Sequence, residues 1–93
     1  MHTGTMDIEF DPAKAAANLK KHRVSFAHAE QALRDLSAVT IEDPDASVEQ
    51  RLITLGMDAL GRMLVVVHTQ RGERTRLISA RKASPGEATQ YHA

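Results

Sequence analysis

Four consecutive aliphatic residues, Leu64-Val65-Val66-Val67, sit inside the segment Arg62–Thr69, with no polar residue among them. Strand side chains alternate between the two faces of a sheet, so an unbroken run of this kind is apolar on both sides. A strand like that belongs in the middle of a sheet, with neighbours on each side and cover on each face. It is far too short to cross a bilayer, which takes about 20 apolar residues. No longer apolar run occurs elsewhere. The chain must therefore supply flanking strands and covering helices, and its 93 residues suffice for one small core. Aromatic side chains contribute little to that core, since Phe10, Phe26 and Tyr91 are the only ones.

The remaining elements follow from local chemistry. Met6 to Phe10 places Ile8 and Phe10 on one parity and reads as a first strand. Asp11-Pro12 starts a helix, the aspartate as N-cap and the proline at the first helical position, and alanines carry it to about His22. Ser25 caps a second helix, in which Phe26, Ala29, Leu33 and Leu36 form one stripe. It ends near Asp35 to Ser37. Val39 to Ile41 is a short strand, followed by a turn at Asp43-Pro44-Asp45. Glu49 to Met57 alternates as a strand, and Arg62 to Thr69 is the central one. After a hairpin turn at Gln70 to Glu73, Arg74 to Lys82 returns antiparallel. Ser84-Pro85-Gly86-Glu87 is a capping box that opens a closing helix over 85–92. The expected order is β-α-α-β-β-β-β-α, an α+β domain with two helices on a mostly antiparallel sheet.

Composition narrows the function classes. Without cysteine there is no disulfide framework and no thiolate metal site. The opening MHTGTM lacks the basic and apolar regions of a secretory signal, so residues 1–5 read as a lead-in to a single domain over 6–93. A cytoplasmic, non-membrane protein is expected. Net charge is zero, but residues 1–50 hold five Lys/Arg against nine Asp/Glu and residues 51–93 hold seven against three. One half can face phosphates and the other a basic partner, or the two can neutralise each other in the fold. Glu42, Asp43 and Asp45 are the acidic residues best placed to receive a basic segment.

The richest chemical segment is Arg74-Thr75-Arg76-Leu77-Ile78-Ser79-Ala80-Arg81-Lys82. A guanidinium forks onto a phosphate, and Ser79 adds a hydroxyl. Arginines on a strand equally suit an edge that resists aggregation. Strict alternation puts Arg76 and Arg81 on opposite faces, so only one would serve a site unless the alternation lapses. Glu49 and Arg51 share a strand face and suit either a general base beside a phosphate-stabilising arginine or a plain surface ion pair. Lys20-Lys21-His22-Arg23 ends the first helix, where cations also favour the exposed carbonyls. His68 reads as a tolerated surface histidine. No metal-ligand spacing and no Gly-rich phosphate loop occurs, so no cofactor is expected.

Three segments in order carry a resemblance. They are Phe10 to Phe26 (FDPAKAAANLKKHRVSF), Glu49 to Gly56 (EQRLITLG) and Arg76 to Ala83 (RLISARKA), ahead of Tyr91. Together they resemble the BrnT toxin family, a branch of the RelE-like ribonucleases of type II toxin–antitoxin systems. The resemblance implies a RelE-like fold, metal-independent cleavage of RNA and neutralisation by a cognate antitoxin. Such antitoxins usually carry a ribbon-helix-helix segment, through which the complex reaches operator DNA. The family's functional positions would fall on Lys21, His22, Glu49, Arg51, Arg76, Arg81 and Tyr91. Glu49 or His22 would be the base, Lys21 or His22 the acid, and the arginines phosphate stabilisers. The alternative is an inactive member that acts as co-repressor with its antitoxin, or a plain RNA binder. The family usually has glycine where this chain has Arg23. Arginine in a left-handed helix cap there would cost on the order of 1 kcal/mol.

Overall fold

The computed structural model describes residues 7–45 and 50–92. Its elements are β1 (Asp7–Glu9), α1 (Pro12–His22), α2 (Phe26–Leu33), β2 (Val39–Glu42), β3 (Leu52–Met57), β4 (Met63–Arg71), β5 (Arg74–Lys82) and α3 (Pro85–Tyr91). Their order is the one expected. The sheet runs β1-β5-β4-β3-β2, with β1 parallel to β5 and every other pair antiparallel. The aliphatic run thus lies on the middle strand.

The helix signals act as read. Asp11 accepts the Ala13 N–H with Pro12 at the first turn, and Ser25 accepts the His28 N–H. Helices α1 and α2 cover one sheet face, where Val24, Phe26, Ala29 and Ala32 pack on Leu64, Val66, Leu77 and Ala80. Gly56 lets α2 cross β3 closely, since a Cβ there would fall 2.2 Å from the Ala32 carbonyl oxygen. Phe10 meets Phe26 edge-on, with ring centroids 5.4 Å apart.

Three expectations need correction. The α2 stripe does not reach Leu36, which is fully exposed. The helix ends at Leu33, the Arg34 N–H turns back onto the Glu30 and Gln31 carbonyls, and Ala32 takes the buried place. His68 is not a surface residue. It is buried, its Nε2 lies 2.8 Å from Thr54 Oγ1, and burial pushes its pKa down. The third correction concerns β5. Val67 pairs with Ser79 but His68 with Leu77, so Ile78 is an extra residue and the ladder carries a bulge there. Leu77 and Ala80 consequently both enter the core, although they are three residues apart.

The two outer edges of the sheet differ. On one side β1 covers β5 only along Arg74–Arg76. Further along, the Asn18 side chain replaces a strand: its Oδ1 accepts the Ala80 N–H, and its Nδ2 donates to the Ala80 and Val24 carbonyls. On the other side β2 has no further strand paired with it among the described residues, and all four of its residues are exposed.

Candidate active site

The bulge decides which side chains share a face. Opposed residues on neighbouring strands point the same way. Arg81 opposes Val65, Ser79 opposes Val67 and Arg76 opposes Thr69, while the alternate residues Leu64 and Val66 point into the helix-covered core. Arg76, Ser79 and Arg81 therefore all face away from α1 and α2. The strict alternation expected from the sequence would have separated the two arginines; the extra residue at Ile78 reunites them. Their partners, Val65 and Thr69, are four positions apart on β4, so at about 3.3 Å per residue the two arginines stand roughly 13 Å apart.

Each arginine already holds a carboxylate. Arg76 Nη1 lies 2.9 Å from Glu9 Oε2, brought alongside because β1 pairs Glu9 with Arg76. Arg81 grips Glu87 with both Nη atoms, each at 2.8 Å. The Ser84 capping box aims Glu87 at Arg81: Glu87 Oε1 also accepts the Ser84 N–H, and Ser84 Oγ accepts the Glu87 N–H. The Arg81 fork and the Ser84 N–H hold the Glu87 carboxyl down at about 2, and Glu87 raises the pKa of Arg81. A bidentate carboxylate occupies the same fork that a phosphate would.

Beside Arg81 and Glu87 the face is apolar. Ile53, Leu55 and Val65 floor a hollow of about 200 Å³, walled by Val39 and Ile41 of β2 and by Glu87 and Gln90 of α3. Arg51 borders this face. Its carbonyl accepts the Asp43 N–H at 2.8 Å, which continues the β2–β3 pairing one residue beyond Leu52. Arg51 thus shares the parity of Ile53 and Leu55, and it is exposed.

The other candidates do not join the cluster. Tyr91 donates its hydroxyl to Asp35 Oδ2 at 2.5 Å, beside Met57 and Asp58, and so pins the far end of α3. Asp35 also accepts the Ser37 and Met57 N–H groups, and the Tyr91 hydroxyl leads these bonds in lowering its pKa. The Tyr91 pKa is raised by the same contact. Lys21 and His22 occupy the last turn of α1, and their side chains make no hydrogen bond or ion pair among the described residues. Arg23 does adopt the left-handed conformation, at φ 60°, with its N–H on the Leu19 carbonyl. Glu49 lies outside the described residues.

A sequence reading missed the two carboxylates. Glu87 looked only like a capping residue, and Glu9 had no visible partner. The bulge had a faint signal: Leu77 and Ala80, both suited to the core, sit at a spacing no regular strand allows. A separate polar cluster forms at buried Asp58, which accepts the Leu60 and Arg62 N–H groups, Arg62 Nε at 2.8 Å and lies 3.0 Å from His28 Nδ1. Burial opposes its ionisation, but the Arg62 and His28 contacts outweigh it and lower its pKa.

The chain is similar to the crystal structure of the Brucella abortus ribonuclease toxin BrnT, with a TM-score of 0.66 and 30% identity over 86% of this chain and 99% of that one. The α+β arrangement is thus that of a ribonuclease toxin. A family model described as the ribonuclease toxin BrnT of type II toxin–antitoxin systems matches residues 10–87. This chain belongs to the BrnT family. No curated protein sequence matches it. Among the described residues no helix is long and apolar enough to cross a membrane.

Proposed function

We propose that this protein is a cytoplasmic endoribonuclease toxin that cleaves RNA through the substrate's own 2′-hydroxyl, without a metal. The observation that carries this reading is the bulge at Ile78, which gathers Arg76, Ser79 and Arg81 onto one face beside Arg51. Such a reaction needs a base for the 2′-hydroxyl, positive charge for the phosphorane and an acid for the departing 5′-oxygen. Arginine stays protonated, so Arg51, Arg76 and Arg81 are electrostatic elements only. Glu49 takes the role of base; Lys21 and His22, in the last turn of α1 and apart from the arginine cluster, act as acid or base only where the bound RNA reaches round to them. Tyr91 serves mainly by holding α3, and with it Glu87, in place.

Before Arg81 can fork onto a phosphate it must release Glu87, and Arg76 must likewise release Glu9. The carboxylates hold the guanidinia in position and yield to a more highly charged anion. Purified protein with chelator present should cleave single-stranded RNA and leave 2′,3′-cyclic phosphate ends. Arg81→Ala and Arg76→Ala should each lower the rate by 10²-fold or more in protein that is still folded at the assay temperature, in line with the loss of one transition-state charge partner. Cleavage that needs added metal, or that survives both substitutions, refutes the proposal.

In the cell, a cognate antitoxin with a ribbon-helix-helix segment neutralises the toxin and carries the complex to operator DNA. A second reading, an inactive co-repressor, is favoured by the saturation of both arginines by carboxylates. Inducible expression without the antitoxin separates the two. Growth arrest with RNA loss supports the nuclease, and normal growth supports the co-repressor.

A further inference from the structure

One edge of the sheet ends in the three-residue strand β1 and the other in β2. The β5 edge is covered by β1 and then by the Asn18 side chain. Among the described residues no strand pairs with the outer edge of β2, and β2 contains no lysine, proline or bulge of the kind that protects many exposed strands.

The register shows what β2 offers. Asp43 and Arg51 form a hydrogen-bonded pair, so alternation along an antiparallel ladder makes Ile41–Ile53 and Val39–Leu55 bonded pairs too. Thr40 and Glu42 then direct their N–H and C=O groups off the sheet. Val39 and Ile41, 43% and 56% exposed, lie on the arginine face and wall the apolar hollow. At the end of the strand Glu42, Asp43 and Asp45 make no ion pair among the described residues.

We infer that β2 is the docking edge for an extended segment of the antitoxin, which adds a sixth strand to the sheet. This rests on the family reading that an antitoxin exists. Backbone groups of the segment pair with Thr40 and Glu42. Its apolar side chains, at alternate positions, cover Val39 and Ile41 and reach the hollow, and its Lys or Arg residues meet Glu42, Asp43 and Asp45. Charge selects this occupant over a second copy of the chain. Residues 38–45 carry no cation of their own, so a second copy brings only more carboxylates to the edge. A strand seated there also contacts the wall that contains Glu87, and so lies beside the ion pair of Arg81.

Hydrogen exchange on the wild-type toxin, free and bound to its antitoxin, tests this directly. The Thr40 and Glu42 amides should exchange fast in the free toxin and slow at least tenfold in the complex. Ile41→Lys and the double change Glu42→Lys/Asp43→Lys should each weaken antitoxin binding tenfold or more, leaving thermal unfolding and RNA cleavage of the free toxin intact. An antitoxin that binds with both amides still fast, or that binds these variants with unchanged Kd, overturns the inference while the antitoxin reading stands. A free toxin that is already dimeric, with the same amides slow, overturns it in favour of a second copy. Absence of any complex with the wild type defeats both readings together.

Discussion

Replacing Glu87 by Gln isolates the ion pair that covers Arg81. The glutamine keeps an oxygen for the Ser84 N–H but loses the charge that Arg81 grips through two 2.8 Å contacts. The folded-state pKa of Glu87 is about 2, against 4.5 for an unperturbed glutamate. At 1.36 kcal/mol per pKa unit, that gap converts to about 3.4 kcal/mol if solvent played no part. The Glu87 and Arg81 side chains are 37% and 44% exposed, so water screens much of it. A loss of about 1 to 1.5 kcal/mol at neutral pH is the expected result. For a domain of this size that lowers Tm by roughly 5–10 °C. Because folding depresses the pKa, the stabilisation is complete above about pH 4.5 and fades as the pH falls toward about 2. Thermal unfolding followed by circular dichroism at pH 7, 5, 4 and 3 should show the wild type and Glu87→Gln converging as the pH drops. Asp35 and Asp58 titrate in both proteins and cancel in the difference. Equal Tm values at pH 7, or a gap that does not change with pH, would refute the assignment of this stabilisation to the ion pair.

Two further substitutions probe the frame. Arg23→Gly relieves a left-handed residue at φ 60° and keeps the carbonyl that accepts from Arg62, so it should raise stability by up to about 1 kcal/mol. A urea midpoint that falls instead would show that the Arg23 side chain contributes more than its backbone costs. Asn18→Leu strands the Ala80 N–H and two carbonyls in a buried setting, and should cost about 2–3 kcal/mol. A variant that unfolds at the wild-type urea concentration would mean that water can replace the asparagine.

Local chemistry was legible throughout. The caps at Asp11, Ser25 and Ser84 lie within a few residues of the backbone groups they bind, so their spacing in the chain reveals them. The position of β4 followed from its aliphatic run alone. What stayed hidden depends on contacts between distant residues. Glu9 meets Arg76 only because β1 lies parallel to β5, and Asn18 bonds Ala80 across 62 positions. Such pairings leave no periodic trace. The placement of Arg76 and Arg81 failed for a different reason. Alternation is a rule for regular strands, and one inserted residue reverses the facing of everything beyond it. The buried state of His68 was hidden because its partner, Thr54, comes from the neighbouring strand.

The parallel pairing of β1 with β5 also bears on the order in which the molecule is made. β2, β3 and β4 form a meander joined by neighbouring segments, so their contacts close over short stretches of chain. Glu9 and Arg76 are 67 positions apart, and that contact cannot form until synthesis is nearly finished. The N-terminal strand therefore waits, unpaired, for almost the whole chain to appear. The edge at β2 is specified early and the arginine face last, so a newborn chain presents its surface for a partner before it has assembled a surface for RNA.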